Sequence, residues 1–340
     1  MGCASALALA ARGAEVVLLE RSVPGAEASS AAAGVLGAQI ESREGSALIA
    51  TFAQARADYG EWARELHAAS GIDVGHRVSG LLRVARAEDE KNEMSRSARW
   101  QREQGLRAEI LTPEEARRIE PELTETIHGA AYFPDEAQVD PRALLRALIV
   151  CVGRASVLVR SSVTVQRIVV EAGRCVGVVL DGETLHADAT VLAAGSWSSL
   201  IPGVPDALRK IRPVRGQIVQ LDERPPRVRV LVASGEAYLV PRGDGRVICG
   251  STMENVGFAR GVTAGGVHAI LNGVLGVVPS LARAEVTATW SSFRPFAGDE
   301  TAWLVGASPV RGLFLATGHH RNGILLAKAT ADRVTEAIYA

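Results

Sequence analysis

The stretch that decides the fold is Gly2-Cys-Ala-Ser-Ala-Leu-Ala-Leu-Ala-Ala-Arg-Gly13, followed by Ala14 and Glu15-Val-Val-Leu-Leu-Glu20. The first part predicts a helix of small and aliphatic residues closed by Gly13 at its C-terminal cap. The second predicts a strand buried on both faces, an apolar run ending in an acid. Together they read as the second half of a dinucleotide-binding fingerprint. Gly2 takes the place of its third glycine, which lets helix and strand pack closely. Glu20 follows Gly2 by 18 residues, near the spacing of about 20 expected for an acid that accepts ribose hydroxyls. A small-residue helix and an apolar strand also fit any other α/β protein, so these residues alone leave both readings open.

Outward from this unit, Ala28-Ser-Ser-Ala-Ala-Ala-Gly34 is a run of small residues. Small side chains let backbone N–H groups approach a pyrophosphate or a ring edge. A flexible linker is the alternative, but this run lies between a buried strand and the helical pattern of 47–69. Ala189-Thr-Val-Leu-Ala-Ala-Gly195 predicts another buried strand, leaving sharply through Gly195-Ser-Trp197. Thr112-Pro113 and Asp140-Pro141 predict helix starts, with the polar residue as N-cap and proline in the first turn. From Arg212 onward, strands at 216–221, 228–232, 237–241 and 246–251 alternate with Pro, Gly and Asp turns. Near the end, a strand at 312–318 runs through the turn His319-His-Arg-Asn-Gly323 into a helix at 324–339. The predicted fold class is α/β. A Rossmann-like domain (1–70, 138–211 and 294–340) is joined to an α+β domain on an antiparallel sheet (71–137 and 212–293).

Composition narrows the function. The chain has 340 residues, 47% hydrophobic residues and a formal net charge of −1, which leaves no electrostatic footprint for nucleic acid. No run reaches the ~18 apolar residues of a membrane span. The start of the chain lacks the basic region of a signal peptide. Cys3, Cys151, Cys175 and Cys249 are widely spaced and form no CxxC pair. They predict neither disulfide framework nor metal site, and hence a reducing, cytoplasmic location.

Four segments occur together and in order: the small-residue run with Gly34, the Gly195-Ser-Trp197 exit, Ser292-Phe-Arg-Pro295, and Gly318-His-His-Arg-Asn-Gly-Ile-Leu325. In these the chain resembles the FAD-dependent amino-acid oxidases of the D-amino-acid oxidase/sarcosine oxidase superfamily. Within it the chain is most similar to the glycine oxidases of thiamine biosynthesis. The resemblance implies FAD as cofactor and a small amino acid or amine as substrate. It implies that Arg294 grips the substrate carboxylate, that Tyr238 in Glu236-Ala-Tyr-Leu-Val-Pro-Arg shares it, and that Met253 and Arg321 line the pocket. A guanidinium suits the first role because it meets a carboxylate through two parallel hydrogen bonds. For the cofactor the implied contacts are Gly2, Glu20, Ser29, Ser30, Gly34, Val165, Gly195 and Trp197. The terminal turn adds His320, Arg321, Asn322, Gly323, Ile324 and Leu325.

No protein side chain is assigned as a catalytic base. Hydride transfer from Cα to a flavin needs a neutral amine and alignment more than a base, so His319 and His320 are not given that role. Members of the superfamily that tether flavin use a cysteine near the C-terminus. Here none follows Cys249, so FAD is expected to be non-covalent. The first strand and first two glycines of the fingerprint lie outside the sequence. An in-frame strand with Gly-x-Gly upstream, or else weak FAD binding, is the expectation. O2 is the expected electron acceptor. A dehydrogenase passing electrons to a quinone, and a non-catalytic relative without FAD, stay open beside the oxidase, as does a homo-oligomer.

Overall fold

The computed structural model describes residues 1–235, 237–299 and 303–340. Its first helix is Gly2–Ala11, and the chain reverses at Gly13 with φ 84°. Strand Val16–Leu19 then pairs in parallel with Val157–Arg160, Val16 opposite Val157. A second parallel pair joins Thr190–Leu192 to Leu313–Thr317, and Leu304–Ala307 adds an antiparallel strand. The two groups form separate sheets. Gly2 lies close to both Leu18 in the first strand and Ala193 just past strand Thr190–Leu192. A Cβ there would lie 3.4 Å from Leu18 and 3.8 Å from Ala193.

Strand Val16–Leu19 departs from expectation. It was expected to be buried on both faces, yet all four residues are only half-buried. The reason is tertiary: one edge pairs with Val157–Arg160, while a cavity wall made by Val16–Leu19 and 190–194 runs past the other.

The larger sheet has eight strands. Their order is Glu285–Phe296, Arg212–Asp222, Arg246–Gly250, Ala237–Pro241, Leu231–Ser234, Leu81–Ala85, Gly129–Phe133, Glu109–Leu111. Pairing is antiparallel, except that Leu231–Ser234 runs parallel to Leu81–Ala85. In the long pair of Arg212–Asp222 with Glu285–Phe296, Val214 faces Arg294 and Gly216 faces Ser292. That register delivers Arg294 to the cavity.

Helix Ile49–Ser70 buries Phe52, Ala55, Tyr59, Trp62 and Leu66, the face its periodicity predicts. It packs in one core with helices Pro141–Arg154 and Ala327–Tyr339. Thr112 forms a capping box with Glu115, and Asp140 accepts from the N–H groups of Arg142 (2.9 Å) and Ala143 (3.2 Å). Some boundaries move. Strands Arg77–Val78 and Leu81–Ala85 are separated at Gly80, whose φ of 69° suits a turn. The strand expected at 228–232 is Leu231–Ser234, and the last helix starts at Ala327 rather than 324. The small-residue run folds as a short helical turn, Ala28–Ala31. No helix among the described residues is long and apolar enough to cross a membrane.

Candidate cofactor and substrate site

One large cavity of about 2020 Å³ lies between the two parallel pairs and the eight-stranded sheet. Small-molecule pockets usually hold roughly 300–1,000 Å³, so this one suits a long cofactor together with a substrate. Its wall collects residues far apart in sequence: Gly2, Glu20, Ser29, Gly34, Val165, Gly195 and Trp197 from the first two-thirds of the chain. Tyr238, Met253, Arg294, His320, Arg321, Asn322, Gly323 and Ile324 come from the last third. Two expected contacts lie off this wall. Ser30 turns its hydroxyl back to the Glu27 carbonyl (3.3 Å). Leu325, 1% exposed, packs in the helical core.

At the Glu20 end, the carboxylate accepts the Ser22 N–H (2.8 Å) and keeps the rest of its acceptor capacity toward the cavity. Helix Gly2–Ala11 has no side-chain cap, and Gly2 and Cys3 of its first turn lie on the wall. Its uncapped N–H groups and positive dipole end suit an anion. Trp197 packs on Phe258 with ring centroids 4.9 Å apart, while the Arg21 guanidinium lies over the indole at 4.4 Å. Gly34 is glycine for a different reason than its sequence context suggests. Its φ is 80°, and a Cβ would overlap the Val139 carbonyl and lie 2.8 Å from Pro141. Protein packing, not ligand approach, demands it.

At the far end, the N–H groups of Gly323 and Ile324 have no backbone acceptor among the described residues, and both residues line the cavity. An acid at one end, an uncapped helix start beside it and free backbone donors at the other end form the donor and acceptor set that an elongated dinucleotide such as FAD requires.

Arg294 stands at this far end. Its Nη1 donates to the Thr252 carbonyl (3.0 Å) and Nη2 to Ser251 Oγ (2.6 Å). Both acceptors are neutral. Burial holds the guanidinium below its ordinary value, Tyr238 and Glu41 act against that, and Arg321 adds to it. The nearby Glu41 carboxylate is engaged by Arg321, Nε to Oε2 2.7 Å. Arg294 is therefore an enclosed cation whose hydrogen-bond partners are neutral and whose nearest carboxylate is already paired with Arg321, an arrangement that favours an incoming anion. Two strand glycines, Gly216 in mid-strand and Gly250 at a strand end, make room for Arg294 and Tyr238 respectively. A Cβ at Gly216 would overlap the Arg294 guanidinium, and one at Gly250 would lie 2.6 Å from the Tyr238 ring.

The histidines of the terminal turn are buried at 4% and 5% exposure. Burial pulls His319 down to about 3. Burial, aided by Arg294, Arg321 and Arg212, pulls His320 down to about 3. Both stay neutral at neutral pH. His319 Nε2 meets Thr330 Oγ1 at 2.8 Å, and His320 adopts φ 45° with its N–H on the Pro295 carbonyl (3.0 Å). An unfolded histidine titrates near 6.5. Between about 6.5 and 3 the unfolded chain thus binds more protons, so stability falls as pH drops through that window. The melting temperature should decrease from pH 7.5 to pH 5, and His319→Gln should flatten that decrease. Parallel curves for the two proteins would refute the assignment.

Glu41, Ser251, Gly216 and Gly250 were not legible as site residues. Glu41 lies in an unpatterned turn, and the others meet Arg294 or Tyr238 only through strand register.

A sequence model of the "FAD dependent oxidoreductase" family matches residues 1–337. Glycine oxidase of Geobacillus kaustophilus is 35% identical over 342 aligned residues, covering 99% of this chain and 90% of that protein. The bifunctional ThiO/ThiG protein of Trichormus variabilis is 32% identical, and the match spans 99% of this chain and 51% of that protein. The crystal structure of the Geobacillus kaustophilus glycine oxidase superposes with a TM-score of 0.93 at 34% identity, covering 99% of this chain and 91% of that one. With a large cavity whose lining suits a dinucleotide and a family match along nearly its whole length, the chain belongs to the FAD-dependent oxidoreductases of the D-amino-acid oxidase type.

Proposed function

We propose that the protein oxidises glycine or a similarly small amino acid. The observation that carries this reading is Arg294, an enclosed guanidinium hydrogen-bonded to neutral oxygens and open to the cavity. Its fork takes the substrate carboxylate, with the Tyr238 hydroxyl beside it. The relatives named glycine oxidase support the choice of substrate. When bound, FAD would supply the acceptor for the hydride that leaves the substrate carbon while the amine gives up a proton, and with O2 as final acceptor the two hydrogens would appear as H2O2.

The protein's own contribution is orientation. Anchoring the carboxylate fixes the α-carbon relative to the terminal turn, and such positioning is a large part of catalysis without a dedicated base. Neutral His319 and His320 fit that view. Residues 1–70, 138–211 and 294–340 form the cofactor-binding unit in this reading, and 71–137 with 212–293 the substrate unit. FAD is held without a covalent bond: Cys249 is fully buried in its strand, and no cysteine follows it. Four free thiols agree with a cytoplasmic enzyme.

The test is direct. Protein loaded with FAD should lose its yellow colour on addition of glycine without air, and consume O2 with release of H2O2 in air. Acid precipitation should leave the flavin in the supernatant. Bleaching by glycine with no peroxide in air would replace O2 by another acceptor. No bleaching by any small amino acid would overturn the reading, and a yellow pellet would overturn non-covalent binding.

A further inference from the structure

Two carboxyl groups shape the substrate end, yet neither is needed to hold a carboxylate. Glu41 stands on the cavity wall, paired with Arg321, and its charge reaches Arg294. It closes the turn 38–41, a segment without helix or strand. A turn of this kind has no ladder of its own to satisfy its backbone, and Ala38 and Gln39 are buried. This one is anchored from inside. Glu136, 0% exposed, accepts the N–H groups of Ala38 (3.1 Å), Gln39 (2.6 Å) and Ile40 (3.1 Å). Arg56 pairs with Glu136 (3.5 Å) and donates to Gln39 Oε1 (2.9 Å). Gln39 Nε2 donates to Gln101 Oε1 (3.1 Å), and Gln101 Nε2 returns a bond to the Gln39 carbonyl (3.1 Å). Burying two ionisable groups and two amides costs free energy that apolar packing would not. What the network secures is one geometry for the turn, and it ends at the residue before Glu41.

We propose that Glu41, placed by Glu136, sets the substrate class. The site admits zwitterionic amino acids with a single carboxylate and turns away those carrying a second anionic group. The proposal rests on the amino-acid reading above. Arg294 takes one carboxylate. Around it the wall presents Arg321 with its guanidinium held by the Glu41 carboxylate, so the second cation at this end is already neutralised and a second anion meets Glu41 instead of a free positive charge. Juxtaposed like charges in an enclosed site discriminate strongly. Glu41 acts from the cavity wall through its pairing with Arg321, and Glu136 is a positioning residue.

The experiment compares acetate with malonate, each titrated into the FAD-loaded protein and read by the perturbation of flavin absorbance. The natural protein should bind acetate more tightly. Glu41→Gln should shift the malonate-to-acetate preference toward malonate by about tenfold or more, as expected for a difference near 1.4 kcal/mol. Glu41→Asp, which keeps the charge, should stay near the natural ratio. Glu136→Gln should move the ratio in the same direction as Glu41→Gln, by less. A general loosening of the fold would weaken both ligands alike and leave the ratio in place, so an unchanged ratio in Glu41→Gln overturns the proposal, as does a natural preference for malonate. If the natural protein neither binds acetate nor is reduced by glycine, the amino-acid reading itself fails and takes this proposal with it.

Discussion

Arg294→Ala is expected to leave a folded, yellow protein whose kcat/KM for glycine is lower by roughly 30-fold to several-thousand-fold. That range corresponds to the ~2–5 kcal/mol lost when one partner of an enclosed, hydrogen-bonded charge pair is removed. The residues expected to hold FAD do not include Arg294, so FAD affinity should change little. Arg294→Lys keeps the charge but loses the planar fork, and should fall between the two. Gly216→Ala offers a check that leaves the guanidinium intact. Its Cβ would overlap the Arg294 side chain, so it should displace the clamp and weaken glycine in the same way. Kinetics on all three, with flavin content measured in parallel, decide the matter. An apparent affinity for glycine that survives Arg294→Ala would remove Arg294 from the site.

The second large effect concerns the split sheet. Val16–Leu19 and Thr190–Leu192 belong to different sheets, and the cavity runs between them under the first helix. A version of the chain extended at its N-terminus by an apolar strand ending in Gly-x-Gly should unite the two sheets. It would also add backbone N–H groups to those at the start of helix Gly2–Ala11. FAD should then bind at least about tenfold more tightly, a difference near 1.4 kcal/mol, and the melting temperature should rise. Side-by-side dissociation constants and melting curves test this. Equal values would mean that Gly2 is not the third glycine of the fingerprint.

Much of this protein is written locally. Helix Gly2–Ala11, the reversal at Gly13 and the strand before Glu20 follow from neighbouring residues. So do the caps at Thr112 and Asp140 and the buried face of Ile49–Ser70. Each rests on interactions within one or two turns of helix or along one strand, and a single chain segment carries that information. The terminal turn and the Arg-Pro segment were legible for another reason: their residue types are chemically distinctive and occur in order.

The tertiary structure decided what depends on partners distant in sequence. Val16–Leu19 has the composition of a fully buried strand, and only the sheet pairing leaves it half-buried on a cavity. Gly216 and Gly250 look like strand defects until the register brings Arg294 and Tyr238 over them. Gly34 reads as a ligand-facing glycine, and it is the Val139 carbonyl that excludes a side chain there. Glu41 carries no mark at all in its own turn; a buried carboxyl nearly a hundred residues away holds the backbone that presents it. By itself the sequence determined the elements and the α/β class, and its resemblance to a known family singled out Arg294 as the expected carboxylate-binding arginine. Which charges share the cavity with that arginine is set by long-range packing, because electrostatic neighbours are defined by distance in space and not along the chain.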